Sequence, residues 1–373
     1  MINRRAILLG GGVAGAAALY ADFREMGSIE DYNAAVAKSR AVLKQVPETR
    51  EFIRYATLAA NSHNTQPWRF KVTDGGIEIL PDMTRHLTAV DPDNHHLFVS
   101  LGCAEENLAL AAAMRERGGT LSFAGENGGS VSFRFANEAT AEPVLFDAIP
   151  KRQSTRSLYN GRAVSAVDLA TLTKAAAVPG ADLVLITDRA QMTQVRDLVI
   201  AGNSAQMADV AFMRELKSWL RFNPRQALKT GDGLFSATTG NPVVPAWVGS
   251  LMLDLVFKAA SENDKYAAQI NSSAGIAVFV AQKDDAEHWV LAGRAFQRFG
   301  LQATALGLKH AFINQPVEVP GLRPELAALI GLPGRRPDIV MRFGYGAELP
   351  FSARRPVEAV LARLRQGARP IEG

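Results

Sequence analysis

A cluster of amide and hydroxyl side chains occupies one short segment, residues 55–70, with the sequence YATLAANSHNTQPWRF. Its polar members are Asn61, Ser62, Asn64 and Gln66. They stand between a helix-like run and a strand-like run that begins near Trp68. Pro67 forbids a continuing helix, so the loop is rigid and can present donors and acceptors to a planar heterocycle. The alternative is an ordinary helix-to-strand turn with Trp68 in the core.

A second cluster combines guanidinium groups with a hydroxyl, in residues 150–159, PKRQSTRSLY. Residues two apart on an extended segment point the same way, so Arg152, Ser154 and Arg156 can line one face. Guanidinium and hydroxyl groups give a phosphate charge-assisted, partly bidentate hydrogen bonds. The segment therefore predicts a phosphate site, with a solvated basic surface turn as the alternative.

Periodicity predicts the elements that position these clusters and two further candidates. The predicted elements are helices at 30–45 and 288–309 and strands beginning at 68, 274 and 338. Gln315 follows the second helix, and Arg354 and Arg355 follow the last strand. The spacing does not choose between Arg354 and Arg355.

The polar loop and the basic segment together resemble the nitroreductase superfamily of FMN proteins. The matching patterns are A-x-x-x-N-S-x-N-x-Q-P-W in the loop and R-x-S-x-R in the basic segment. The resemblance implies that FMN is the cofactor and that its N5 atom carries the hydride chemistry, so no side chain need be a general acid or base. It also implies an α+β fold and assigns roles to ten residues. Asn61, Ser62, Asn64, Gln66 and Gln315 would address the flavin ring, and Arg152, Ser154, Arg156 and one of Arg354 and Arg355 would bind the phosphate.

The order of the two motifs is inverted relative to an ordinary family member, which suggests two family-like halves in one chain. A constant offset of 191 residues aligns Gly102 with Gly293, and the pairs Ala104/Ala295, Leu110/Leu301 and Ala112/Ala303 follow. This arrangement resembles the Acg-like branch of the superfamily. We therefore expect two halves, 38–140 and 141–373, related by pseudo-twofold symmetry, each with a mainly antiparallel sheet packed by helices. The flavin site would lie between them, so a monomer would suffice.

An insertion at about 203–264 interrupts the second half. Apolar residues recur there at helical spacing, and the glycine-rich run KTGDGLFSATTGNPVVP follows. We expect a lid over the flavin, with a packing excursion as the alternative.

The N-terminal residues 1–21 differ in composition from the rest of the chain. Arg4 and Arg5 precede an uncharged run, which resembles a twin-arginine export signal or anchor. The same run contains G-x-G-x-x-G at Gly10, Gly12 and Gly15, so a Rossmann-type FAD protein is an alternative. The signal predicts an exported protein, periplasmic or anchored at the periplasmic face of the inner membrane.

These features predict an FMN-dependent oxidoreductase that reduces a small acceptor, nitroaromatic or quinone-like. The donor is left open between NAD(P)H and a membrane or periplasmic redox partner, because nicotinamide cofactors are expected mainly in the cytoplasm. The alternative function is flavin sequestration or storage without efficient turnover.

Composition excludes several other classes. The 373 residues carry 41 Lys plus Arg against 37 Asp plus Glu, a formal charge of +4 with scattered basic residues, so no nucleic-acid partner is expected. The single cysteine, Cys103, rules out a thiolate cluster, and we expect it to be a buried small hydrophobe. No HExxH spacing occurs, so we predict no metal, and we expect His86, His95 and His96 in surface loops.

Overall fold

The computed structural model describes residues 24–136 and 140–362 of the chain. The predicted export signal at 1–21 therefore lies outside the described residues. Within the described ranges, no helix combines the length and apolarity needed to cross a membrane.

Two four-stranded antiparallel sheets form the framework. The strands are β1 (Trp68–Thr73), β2 (Gly76–Pro81), β3 (Gly119–Ala124), β4 (Ser130–Phe135), β5 (Ala181–Ile186), β6 (Leu220–Arg221), β7 (Leu234–Phe235), β8 (Gly275–Ala281), β9 (Lys309–Phe312) and β10 (Pro337–Gly344). The first sheet has the order β1-β2-β4-β3, and the second has the order β5-β8-β10-β9. The short strands β6 and β7 form a separate parallel pair.

Helices pack on both sheets and complete an α+β fold, which confirms the predicted fold class. They are α1 (Ile29–Ser39), α2 (Thr49–Thr57), α3 (His95–Ala113), α4 (Pro143–Ala148), α5 (Ala166–Ala175), α6 (Arg189–Ala208), α7 (Val210–Trp219), α8 (Pro224–Thr230), α9 (Ala246–Val256), α10 (Ala259–Asn271), α11 (Ala286–Ala305), α12 (Gln315–Glu318), α13 (Arg323–Leu329) and α14 (Val357–Val360). One hydrophobic core joins residues of both sheets through α3 and α11.

The long helices α3 and α11 approach each other at two glycines. A Cβ atom on Gly102 would collide with the carbonyl oxygen of Val290, and one on Gly293 would collide with the carbonyl oxygen of Val99. Gly102 and Gly293 are 191 residues apart, and so are the residues that they contact, Val290 and Val99. This is the same offset that the sequence comparison of the two halves uses. Glycine is needed at both positions because the facing backbone occupies the space of a side chain.

Each sheet is extended at one edge by a segment from a distant part of the chain. Leu361 forms a parallel bridge with Phe70 at the edge strand β1, and Ser154 forms one with His310 at the edge strand β9. The backbone N–H of Thr155 donates to the His310 carbonyl at 2.8 Å. These bridges fix the position of the basic segment and of the chain after β10.

Two predicted helices have different bounds in the structure, and one predicted strand begins where expected. The helix expected at 30–45 ends at Ser39, because the next residue, Arg40, turns inward and donates to the Pro150 carbonyl at 2.8 Å. The helix expected at 288–309 spans Ala286–Ala305, and Gly307 with φ +73° leads directly into β9. The strand β1 begins at Trp68 as predicted, and Trp68 is buried.

Candidate functional site

A cavity of about 510 Å³ lies where the polar loop, the basic segment and the insertion meet. This volume falls within the roughly 300–1,000 Å³ that cofactor pockets occupy. Eight of the ten predicted site residues line it: Asn61, Ser62, Asn64, Arg152, Ser154, Arg156, Gln315 and Arg354. Gln66 and Arg355 do not line it.

The polar loop has an unusual backbone. His63, Asn64 and Gln66 have φ values of +46°, +54° and +53°, in the left-handed region that side chains other than glycine rarely adopt. Such residues each cost on the order of 1–3 kcal/mol and persist only where the surroundings hold them. Here the Asn61 carboxamide oxygen accepts the N–H of Gln66 at 2.8 Å, so Asn61 itself closes the loop.

Gln66 ties the loop to two other segments. Its side chain is fully buried, and Nε2 donates to the Gly231 carbonyl of the insertion at 2.8 Å. Its Oε1 accepts the N–H of Arg355 at 2.9 Å. The structure thus places Gln66 behind the cavity wall, where it positions Asn64 and the chain after β10 and does not face the cavity.

Three arginines form a like-charge group at the cavity wall: Arg40 and Arg152, which are buried, and Arg354, which is half-buried. Burial lowers the pKa of Arg152 to about 10, and burial together with Arg152 lowers that of Arg354 to about 9. Burial first, then Arg354 and Arg152, also lowers the pKa of Arg40. Among the described residues, no carboxylate forms an ion pair with any of the three.

Arg152 is the least satisfied member of this arginine group. It is 3% exposed, and its Nε and Nη1 have no hydrogen-bond partner, while Nη2 donates to the Leu58 carbonyl at 3.3 Å. A buried cation without a counter-ion is costly. The arginine group therefore has the chemistry of an anion site, with donors left over for the anion.

Arg156 lines the same cavity but belongs to a different electrostatic environment. Burial lowers its pKa, and Tyr266 and Tyr159 act in the opposite direction. Burial and then Arg156 lower the pKa of His63 in the polar loop to about 4. Within the basic segment, Arg152 therefore lies beside the other members of the arginine group, whereas Arg156 lies near the polar loop.

The structure distinguishes Arg354 from Arg355. The Arg354 guanidinium donates to the Thr57 carbonyl at 2.7 Å and to the Asn64 side-chain oxygen at 2.9 Å, at the cavity wall. Arg355 instead donates to the Ala359 carbonyl at 2.6 Å, and its Nη1 lies 3.8 Å from an oxygen of Asp82.

The insertion forms part of the cavity wall. Apolar side chains from it line the wall: Phe212, Leu216, Leu220, Phe222, Leu253 and Phe257. Asp232 holds the turn at Gly231–Gly233 in place through two ion pairs. Its partners are Arg85, which lies outside the insertion, and Arg221, at 2.7 Å. Asn64 Nδ2 also donates to the Gly233 carbonyl at 3.1 Å.

The sequence did not indicate several cavity residues. Arg40 lies in a helix-like pattern with no motif, and Gln206, Tyr266 and Glu318 belong to no recognised pattern. Only tertiary contacts bring them to the cavity.

The expectation that His95 and His96 lie in surface loops is wrong. Both lie in the first turn of α3 and are 1% and 4% exposed. His95 Nε2 lies 2.7 Å from Asp338 Oδ1 of β10, and the Asp91 carboxylate accepts the N–H of His96 at 2.8 Å. Asp91, His95 and His96 lie within 4.8 Å of one another, but these contacts already occupy Asp91 and His95, and we assign no metal to them.

Comparisons with known proteins give distant relatives. No family profile matches the chain. The curated protein named "Putative NAD(P)H nitroreductase Rv3131", from Mycobacterium tuberculosis strain H37Rv, is 24% identical over 321 residues, which cover 84% of this chain and 90% of the relative. Its counterpart from strain CDC 1551 / Oshkosh, with the same descriptive name, matches equally well.

Solved structures show weaker likeness. The FMN-dependent nitroreductase NfnB from Mycobacterium smegmatis, in complex with NADPH, is 12% identical, covers 55% of this chain and 88% of its own, and has a TM-score of 0.36. The NADPH:FMN oxidoreductase from Vibrio harveyi, complexed with NAD+, is 13% identical, covers 61% and 79%, and has a TM-score of 0.37. These scores are too low to carry an inference. The chain is thus similar over most of its length to two curated proteins named as NAD(P)H nitroreductases.

Proposed function

We propose that this protein is an FMN-dependent oxidoreductase of the nitroreductase superfamily. The observation that carries the proposal is Arg152, a buried cation on the cavity wall with unpartnered donors and no carboxylate counter-ion. The polar loop expected to face a flavin ring lies on the wall of the same cavity. The two curated relatives are named as NAD(P)H nitroreductases, which agrees with this assignment.

The residues present fit FMN. A flavin phosphate carries nearly two negative charges, and Arg40, Arg152 and Arg354 would neutralise it. Ser62 and Gln315 would bind the polar edges of the ring, and Arg156 would hold positive charge near the anionic edge. Asn61 and Asn64, whose side-chain oxygens accept hydrogen bonds within the protein, would hold the polar loop beside the ring. When bound, FMN supplies hydride transfer at N5. The protein orients the ring and excludes water through the apolar side chains of the insertion.

We further propose that the chain is a tandem of two nitroreductase-like halves, as in the Acg-like branch. The reciprocal contacts of Gly102 and Gly293, and the two antiparallel sheets on either side of the sequence midpoint, support this proposal. A site assembled within one chain makes a partner subunit unnecessary, so we expect a monomer. Export by a twin-arginine signal at residues 1–21 remains a proposal, which cell fractionation of a tagged chain would test.

The acceptor is proposed to be a small nitroaromatic or quinone-like molecule. The test is the visible spectrum of the purified protein, with chromatography of the acid-released flavin, followed by anaerobic NADPH addition. Yellow protein that releases FMN supports the cofactor assignment, and bleaching by NADPH identifies the donor. Absence of flavin after reconstitution would contradict the proposed function.

Flavin sequestration is the second candidate, and the insertion in the cavity wall favours it. Asp232, Asn64 and Gln66 fasten the insertion to the first half of the chain. Rapid reoxidation of the reduced protein by quinones or nitroaromatics would favour the enzyme. Inertness toward both would favour sequestration.

A further inference from the structure

A second polar group, formed by His96, Gln206, Tyr266, Gln315 and Glu318, lines the cavity. The functions proposed above use only Gln315 from this group. It gathers side chains from α3, α6, α10 and α12. Gln206 Nε2 donates to Glu318 Oε2 at 2.6 Å. Glu318 Oε1 lies 3.9 Å from His96 Nδ1.

Two atoms of this group are buried without a hydrogen-bond partner. They are Nδ1 of His96 and Oε1 of Gln315, in residues that are 4% and 7% exposed. Glu318 is more accessible, with 14% of its side chain exposed at the cavity wall. In the described part of the chain, no arginine or lysine forms an ion pair with Glu318. A carboxyl group without a cation beside it, next to unpartnered polar atoms, is suited to a polar ligand.

The surroundings of Glu318 favour its neutral form. Burial raises the pKa of Glu318, as do Asp91 and Glu215, whereas His96 and the hydrogen bond from Gln206 lower it. Burial, and then His95, lower the pKa of His96, while Asp91 and Glu318 raise it. Tyr266, the other titratable group of the cluster, has its pKa raised, mainly by burial. Burial therefore shifts both Glu318 and His96 toward their neutral forms.

We propose that Glu318, held by Gln206 and His96, donates a proton to the oxygen of the electron acceptor, a quinone carbonyl. This inference rests on the proposed function, because the reductant is the bound flavin. Glu318 is then a catalytic residue, and Gln206 and His96 are positioning residues.

The reaction consumes one proton in addition to the hydride. Reduction of a quinone to a hydroquinone takes up two electrons and two protons. Hydride from the reduced flavin supplies both electrons and one proton. The second proton comes from the Glu318 carboxyl group: its O–H bond breaks, and an O–H bond forms on the acceptor. Water entering the cavity then returns a proton to the Glu318 carboxylate.

The test compares Glu318→Gln with wild-type holoprotein that has been reduced chemically without oxygen. Stopped-flow reoxidation by benzoquinone, which needs a proton, is compared with reoxidation by ferricyanide, which needs none. We expect the quinone rate of the variant to fall roughly 100-fold. A plot of this rate against pH should show the titration of one acidic group in the wild type and should lack it in the variant. The ferricyanide rate should be unchanged.

Glu262→Gln is the matched control, because Glu262 is a carboxylate that also lines the cavity but pairs with Lys265 at 3.8 Å. It should retain the quinone rate. Glu318→Asp provides a second variant that keeps the acid, and it should recover part of the rate.

An infrared difference spectrum between wild type and Glu318→Gln gives a readout independent of turnover. It should show the carbonyl band of a protonated carboxylic acid in the wild type at neutral pH. FMN content is measured first, so that loss of flavin, which bears on the proposed function, is separated from loss of proton transfer. An unchanged quinone rate with full FMN content, or equal slowing with both acceptors, would overturn the inference.

Discussion

Gly102 and Gly293 make the same contact from opposite helices. Each sits against a backbone carbonyl of the facing helix, that of Val290 and that of Val99 respectively. The reciprocity brings α3 and α11 into close contact in the core that the two sheets share. These glycines therefore underlie the geometry of the site as well as the stability of the fold.

Gly102→Ala should destabilise the protein, because the added methyl group meets the Val290 backbone and the helices must move apart. Overpacking of this kind costs about 1–3 kcal/mol. Gly321→Ala is the matched control, since a Cβ there has open space and its φ is not in the left-handed region. Urea unfolding curves measure both. Equal stability of the two variants would contradict the close contact.

Asp232→Asn should loosen the insertion at the cavity wall. The carboxylate pairs with Arg85 and Arg221, so its loss leaves two partly buried cations without their partner. Hydrogen exchange of amides near residues 231–244 should become faster, and bound FMN should dissociate faster. Asp197→Asn is the control, because the pair of Asp197 with Arg196 is on the surface, with 61% of the Asp197 side chain exposed. Unchanged protection in Asp232→Asn would show that the turn is held by other contacts.

Glu105 should make stability depend on pH. Burial raises its pKa to about 8, with Arg294 acting against the rise and Glu106 adding to it. The folded protein therefore holds a proton that the unfolded chain releases near pH 4.5. Protonation of Glu105 therefore contributes its full amount to the free energy of unfolding below about pH 4.5, and this contribution is lost as the pH rises toward 8.

Glu105→Gln keeps the group neutral. We expect it to match the wild type near pH 5 and to be more stable near pH 8, by roughly 3 kcal/mol. Glu106→Gln is the contrasting variant, because it removes ion pairs with Arg294 at 2.9 Å and Arg298 at 2.7 Å and should destabilise at both pH values. Denaturant unfolding at the two pH values measures the difference. A Glu105→Gln protein less stable than wild type near pH 8 would be inconsistent with a neutral buried Glu105.

Local patterns in the sequence predicted a large part of the fold. Strong local patterns predicted the strand at Trp68, the apolar run of β8 and the helix α11. Tertiary contacts do not override these patterns. The burial of Cys103, 1% exposed in α3, is confirmed. Helix α1 ended early because Arg40 makes tertiary hydrogen bonds, which no local pattern encodes.

The residues of the candidate site were also predicted only in part. Short motifs predicted the residues of the polar loop and the basic segment that the structure brings to one cavity. Gln66 belongs to a motif yet faces away from the cavity, since a motif fixes the loop backbone and not each side chain's direction. Glu318 and His96 were not found, because their proximity depends on the packing of α12 against α6 and β10 near the start of α3.

The proposed function rests on binding of the FMN phosphate by the arginine group of Arg40, Arg152 and Arg354. The most direct test measures the dissociation constants of FMN and riboflavin, which differ only in that phosphate, for the apoprotein and for Arg152→Ala. We expect wild type to bind FMN at least about 100-fold more tightly than riboflavin, equivalent to about 2.7 kcal/mol. In Arg152→Ala most of this preference should disappear, while riboflavin affinity stays the same. Equal affinity of the wild type for the two flavins would show that these arginines do not bind the FMN phosphate.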